Sequence, residues 1–387
     1  MQSGTALLPA QVRTIRLFYF MAGMGVSTWA IIVPFTKIRF SLDDATLGLI
    51  LLAPGMGGIL ATPLVGLLVK HIGSKRVLLI SGVMFGIILP LLTVAPGVVS
   101  FSFLLFLFGV SFGGIDIGIN AQAVVVEARS GRLLMSSFHA LFSIGALSVA
   151  LATSLLLRFG FSNALCSIFC SVAIFAILSQ GGLLVRQSED LPADGPALAL
   201  PNRATLALGL CCFVCFLTEA AVTDWSTILL RFSRHASLAN AAFGYAGFAV
   251  MMAAARLVGD RVATHIGAVR LVRWGCYLAA AGMLLAVTAP PLALDIIGFG
   301  LVGLGLGNIA PLVFSAAVRV PGMSPTASAP AVVSLGYAGF LIGPVVIGFV
   351  AHEVSLPVSL AQVALLLMAI SFAARAVTPE GTVTPKD

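Results

Sequence analysis

Apolar stretches too long and too continuous for a water-facing element run through this chain from end to end. They lie at about 15–36, 45–69, 77–95, 98–126, 133–157, 161–185, 204–230, 240–262, 271–289, 292–318, 329–351 and 356–376. A helix needs about 20 mostly apolar residues to cross a bilayer, whereas membrane β-strands alternate in polarity over about ten. The pattern predicts an all-α integral membrane protein with twelve transmembrane helices. Charged residues are only 9% of the 387, and hydrophobic ones are 59%. That is too little charge to cover a soluble fold and too much apolar surface for a disordered chain. No small-residue cleavage site follows the first run, which is therefore expected to stay as a span.

The net charge of +7 does not suggest nucleic acid, because the basic residues are scattered between apolar runs rather than gathered on one face. They sort by side instead. With a cytoplasmic N-terminus, inside segments hold fifteen Lys and Arg, against five outside (Lys37, Arg39, Arg158, Arg231 and Arg234). The positive-inside rule then puts both termini in the cytoplasm. The cysteines all fall within apolar stretches and read as inert buried thiols. No cluster has metal-ligand spacing, so neither a metal nor a cofactor is expected.

The only long polar interval is Gln187–Arg203, with Pro192, Pro196 and Pro201. It divides six spans from six. The expected division is a first six-helix bundle at 1–185, a cytoplasmic linker at 186–203, and a second bundle with a short tail at 204–387. The halves repeat: His71-Ile72-Gly73 recurs 194 residues later as His265-Ile266-Gly267. The same offset carries Gly109, Gly113 and Ile115 onto Gly303, Gly307 and Ile309, and Gly145 onto Gly339. Parallel repeats with an even span count imply two bundles in the same orientation.

The segment Gly66-Leu67-Leu68-Val69-Lys70-His71-Ile72-Gly73-Ser74-Lys75-Arg76 resembles the signature of the major facilitator superfamily between its second and third spans. Lys70 replaces the usual aspartate, and Thr264 stands at the equivalent place in the second half. Further segments, Ser111 to Glu127, Phe138 to Gly145, Asp224-Trp225 and Gly336 to Pro344, are similar to the YbjJ-like bacterial inner-membrane transporters, relatives of fucose-permease-type sugar:proton symporters. The resemblance implies an MFS fold and a conformational latch at Gly66, Gly73, Lys75 and Arg76. Arg256 and Asp260, one helical turn apart, are read as its second-half part and as an intrahelical ion pair.

Ionisable residues inside a membrane are costly and mark candidate sites. Asp116, Asn120 and Glu127 share one face of the fourth span, and that face is expected to line a central cavity. A carboxylate there can release its proton to water when the cavity opens and regain it when desolvated. Asp116, Glu219 and His139 are the proton-coupling candidates. Asn120, Trp29, Asp224, Trp225 and Asn308 are the substrate-binding candidates. For Trp225 a lipid-headgroup belt is an equally simple reading. Gln122 is counted among the cavity's hydrogen-bonding groups.

The glycine run 303–307 follows no strand and no Walker motif exists, so a nucleotide does not drive the protein. No nucleophile–base constellation points to an enzyme. The expected function is a secondary active transporter, in which protons and a small, polar or sugar-like solute cross by alternating access between the paired bundles. The partners are this solute, protons and lipid, and the protein is expected to be monomeric. Export of lipophilic compounds and a sensor without flux are the competing readings.

Overall fold

The computed structural model describes all residues except 1, 131–133, 186–201, 289–290, 318, 321–322, 324 and 378–387. The expected linker therefore lies almost wholly outside the described residues. Fourteen α-helices run through the rest. In the first half they are α1 (Gln2–Arg39), α2 (Asp44–Ile50), α3 (Leu52–Ile72), α4 (Ser74–Val94), α5 (Val98–Ser130), α6 (Met135–Arg158) and α7 (Asn163–Leu178). In the second they are α8 (Arg203–Ile228), α9 (Leu238–Ile266), α10 (Ala268–Thr288), α11 (Leu292–Leu306), α12 (Ile309–Ala317), α13 (Pro325–Glu353) and α14 (Leu356–Ile370). Twelve segments among them are long and apolar enough to cross a membrane.

Two expected spans are broken, each a few residues before a proline. The second divides at Leu51 into α2 and α3, and the tenth divides at Gly307–Asn308 into α11 and α12. Proline has no N–H and its ring crowds the carbonyl four residues back. Pro54 and Pro311 therefore release the carbonyls of Ile50 and Gly307. Arg256 answers the second release: its Nε donates to the Gly307 carbonyl at 3.4 Å.

The internal repeat is a repeat of packing. Within the first half α1 packs on α6, α3 on α5, α4 on α5 and α4 on α7; within the second α8 packs on α13, α9 on α11, α10 on α11 and α10 on α14. Between the halves α6 packs on α9 and α2 on α13. The matched glycines sit at these crossings. A Cβ on Gly109 would strike the Pro54 carbonyl, and one on Gly303 the Phe248 carbonyl, a partner again 194 positions on. Gly113 abuts Gly58 and Ala61, and Gly307 abuts Met252 and Ala255 at the same offset. Small residues let helix backbones approach closely where lipid supplies no hydrophobic drive. Gly73 and Gly267 close α3 and α9 with φ of 86° and 83°, a backbone that other residues rarely adopt.

Gly109→Val and Gly303→Val should each cost about 1–3 kcal/mol by overpacking. Gly182→Ala, which meets open space, should stay within about 0.5 kcal/mol. Unfolding of the purified protein in detergent measures all three.

Candidate functional site

Side chains from both halves meet at Asp116. Asn120, one turn on along α5, donates its Nδ2 to Asp116 Oδ1 at 3.0 Å and to the Asp116 carbonyl at 2.8 Å. From α13, the Tyr337 hydroxyl donates to Asp116 Oδ2 at 3.1 Å. From α1, the Tyr19 hydroxyl donates to Asn120 Oδ1 at 2.8 Å. His139 lies edge-on to the Tyr19 ring, with centroids 5.0 Å apart. Asp116, Asn120 and His139 thus fall in one network, which also contains Tyr19 and Tyr337. Tyr19 carries neither a charge nor a motif, whereas Tyr337 lies in the Gly336 to Pro344 segment that the sequence analysis singled out.

A cavity of about 180 Å³ adjoins this network. Its two walls differ in chemistry. The first half contributes only apolar side chains and glycines, among them Phe108, Phe112 and Phe142. All the polar side chains come from the second half: Glu219, Thr223, Asp224, Tyr245 and Tyr337, with Phe340 beside them. Glu219 carries no hydrogen bond or ion pair on its carboxylate among the described residues. Arg256 is near enough to act on both Glu219 and His139 electrostatically.

The cavity is roofed at the end that the Lys and Arg bias places outside. Trp29 Nε1 donates to Asp224 Oδ1 at 3.2 Å, and Thr227 Oγ1 donates to the Ala30 carbonyl at 3.2 Å. Ser154 donates to the Ala239 carbonyl at 2.8 Å, and Arg158 to Asn240 Oδ1 at 2.7 Å. Gly48 and Gly348 touch where α2 meets α13. These bonds between the halves concentrate at this one end.

Other candidates stand elsewhere. Gln122 is fully buried and bonds Ser74 and Val185 within the first half, so the cavity does not receive its amide. Asn308 donates to the Ala255 carbonyl at 2.9 Å and fastens α9 to the α11–α12 break. Trp225 is fully buried, away from any headgroup layer, and does not line the cavity. The exposed tryptophan is Trp274, at 64%. Glu127 accepts the Leu134 and Met135 amides at the start of α6. Asp295, buried, pairs with Arg234 at 3.1 Å. In the latch segment, Gly66 faces open space, Arg76 is exposed, and Lys75 donates to the Gly182 carbonyl at 3.0 Å. The Asp260 side chain lies outside the described residues. Arg256 donates its Nε to the Gly307 carbonyl, and its expected pairing with Asp260 therefore falls outside what the described side chains cover.

Comparison with known proteins agrees with this architecture. The chain matches the Major Facilitator Superfamily over residues 16–344. It is 40% identical over 370 residues to an uncharacterized MFS-type transporter of Yersinia pestis, covering 95% of this chain and 96% of that one. It is 31% identical to the membrane protein MosC of Rhizobium meliloti, covering 89% and 84%. A point variant of the nucleoside transporter NupG superposes with a TM-score of 0.77 at 13% identity, covering 95% and 99%. A bacterial homologue of the human lysosomal transporter Spinster, inward-facing and occupied, gives 0.72 at 14%, covering 95% and 96%. The chain belongs to the major facilitator superfamily and is a multi-pass membrane transporter, not an enzyme.

Trp29→Phe removes the donor that holds Asp224 and should loosen the roof. A cysteine placed by Thr227→Cys should then react several-fold faster with an impermeant maleimide. The six native cysteines are buried and give little background.

Proposed function

We propose that this superfamily member is a proton-coupled secondary active transporter that works by alternating access, with Asp116 as the coupling group. One observation carries the reading: a carboxylate of the first half accepts a hydrogen bond from Tyr337 of the second. Both carboxylate oxygens accept donors, an arrangement that suits the ionised form. A hydrogen bond to a charged group contributes about 1.5–3 kcal/mol, and a neutral one about 0.5–1.5. Protonation of Asp116 therefore weakens the tie between the halves by about 1 kcal/mol, enough to shift a two-state balance about fivefold. Glu219 is the second proton-binding acid, and His139 steadies the Tyr19 ring.

The roofed outer end supports an inward-facing state. The halves at 1–185 and 204–387 rock about the cavity, joined through the 186–203 linker, and Gly66, Gly73, Lys75 and Arg76 engage across the inner end when the roof opens. We place the protein in a bacterial inner membrane as a monomer, with both termini cytoplasmic, in the YbjJ-like subgroup.

The unequal walls change the expected cargo. With Gln122 and Asn308 engaged in packing, a strongly polar solute finds few partners on the first-half wall. A small solute with an apolar face and one polar end fits better, the polar end turned toward Glu219 and Tyr337. A sugar is the second reading, because its C–H face stacks on aromatic rings and Asn120 and Asp116 lie behind Tyr337.

The test is a panel of radiolabelled hexoses, nucleosides and aromatic amines offered to proteoliposomes under an imposed pH gradient. Wild type should concentrate at least one of them. Asp116→Asn should lose gradient-driven accumulation yet keep counterflow exchange; unchanged accumulation in this variant would remove Asp116 from coupling.

A further inference from the structure

We propose that the cavity binds a monovalent organic cation with an apolar body, held by the Glu219 carboxylate, and that the cation replaces a proton on this carboxylate. The inference rests on the transport reading above and names its substrate class.

Three features of the cavity converge. Glu219 lines it with no hydrogen bond or ion pair on its carboxylate among the described residues. A negative charge without a partner in an apolar enclosure is strongly unfavourable and is relieved by a proton or by a cation. The rings of Phe108, Phe112, Phe142, Tyr245, Tyr337 and Phe340 surround the same space. Aromatic faces attract ammonium groups and accept apolar bodies. No lysine, arginine or histidine lines the cavity, so nothing there would receive an anion.

The groups around Glu219 leave that role open. Arg256 and Tyr245 act on it electrostatically from α9 and Tyr337 from α13, and Cys212 and Cys215 lie on its own helix. The Arg256 guanidinium forms no ion pair with it and is engaged at the Gly307 carbonyl. Asp224, the other acid on the wall, accepts from Trp29 in the roof. Glu219 is thus the carboxylate available to a ligand, and Thr223, whose hydroxyl bonds the Glu219 carbonyl at 2.8 Å, stands one turn further toward the roof.

The exchange balances in charge. The protonated amine enters as a cation, the Glu219 carboxyl gives its proton to water, and the site remains neutral throughout. An amine that arrived uncharged would instead take the proton from Glu219 and release none.

Phenethylamine, cationic at pH 7, and 2-phenylethanol, its neutral counterpart of matching shape, separate the charge from the apolar body. Binding of each to the purified full-length protein in detergent, without any gradient, is followed by calorimetry and by proton release in weak buffer. Wild type should bind the amine at least tenfold more tightly than the alcohol and release about one proton per amine. Glu219→Gln should lose the tenfold preference and the proton release while still binding the alcohol, which shows that the cavity is intact. Equal affinity for the two probes, no proton release from wild type, or an amine preference surviving in Glu219→Gln would each overturn the proposal. The wild-type measurements decide it even if the variant does not fold. Because no flux is measured, a failure of proton-driven transport leaves this result standing, and a failure here leaves Asp116 coupling standing.

Discussion

Inside hydrocarbon a backbone N–H or C=O has no water to turn to, and helix contacts gain nothing from burying apolar surface. Every feature of this fold answers that constraint. Continuous helices satisfy the backbone, and glycines bring the helices close enough for backbone-to-backbone contact. Where proline breaks a helix at Gly307, the freed carbonyl is answered by Arg256. The repeat of 194 residues makes the solution visible twice, since Gly109 with Pro54 and Gly303 with Phe248 are the same crossing in two halves.

The same economy of polar groups organises the site. Four hydrogen bonds and a glycine contact gather the halves at one end, and Asp116 with Tyr337 joins them deeper in. What lies between is a cavity with one apolar wall and one polar wall. The roof rests on two neutral side-chain-to-backbone bonds, one Trp–Asp bond and one Arg–Asn bond, few enough to be broken together in the gating motion we propose. The tie at Asp116 is different in kind because it is made by a carboxylate, the group we propose to carry the proton. The roof and the proposed coupling group are thus separate, and the cavity lies beside both.

Much of this was legible in the chain. The spans, their number and the repeat follow from apolar runs and glycine spacing, and Asp116 and Glu219 stand out because charge is scarce in a bilayer. The breaks at Leu51 and Gly307 were not legible, since Pro34 and Pro90 also lie within apolar runs and α1 and α4 continue through them. Misplaced emphasis fell on uncharged polar residues. Gln122, Asn308 and Trp225 look like cavity groups by residue type, yet the first two bond neighbouring helices and the third is packed in the core. Tyr19 went unnoticed and Tyr337 stood out only as part of a resembling segment, although both complete the Asp116 network.

The sequence by itself determined that this is a twelve-span helical protein, that its halves repeat, and which few acids lie within the spans. Apolar length, glycine spacing and charge are local properties, and the bilayer reads them directly. Only the tertiary structure decided which polar side chains face the cavity and which hold helices together. That depends on how each helix is rotated and crossed against its neighbours, and the crossings are set by partners far away in the chain. Asp116 is recognisable from its own span, but its role as a junction exists only because Tyr337, 221 positions on, is brought to its second oxygen.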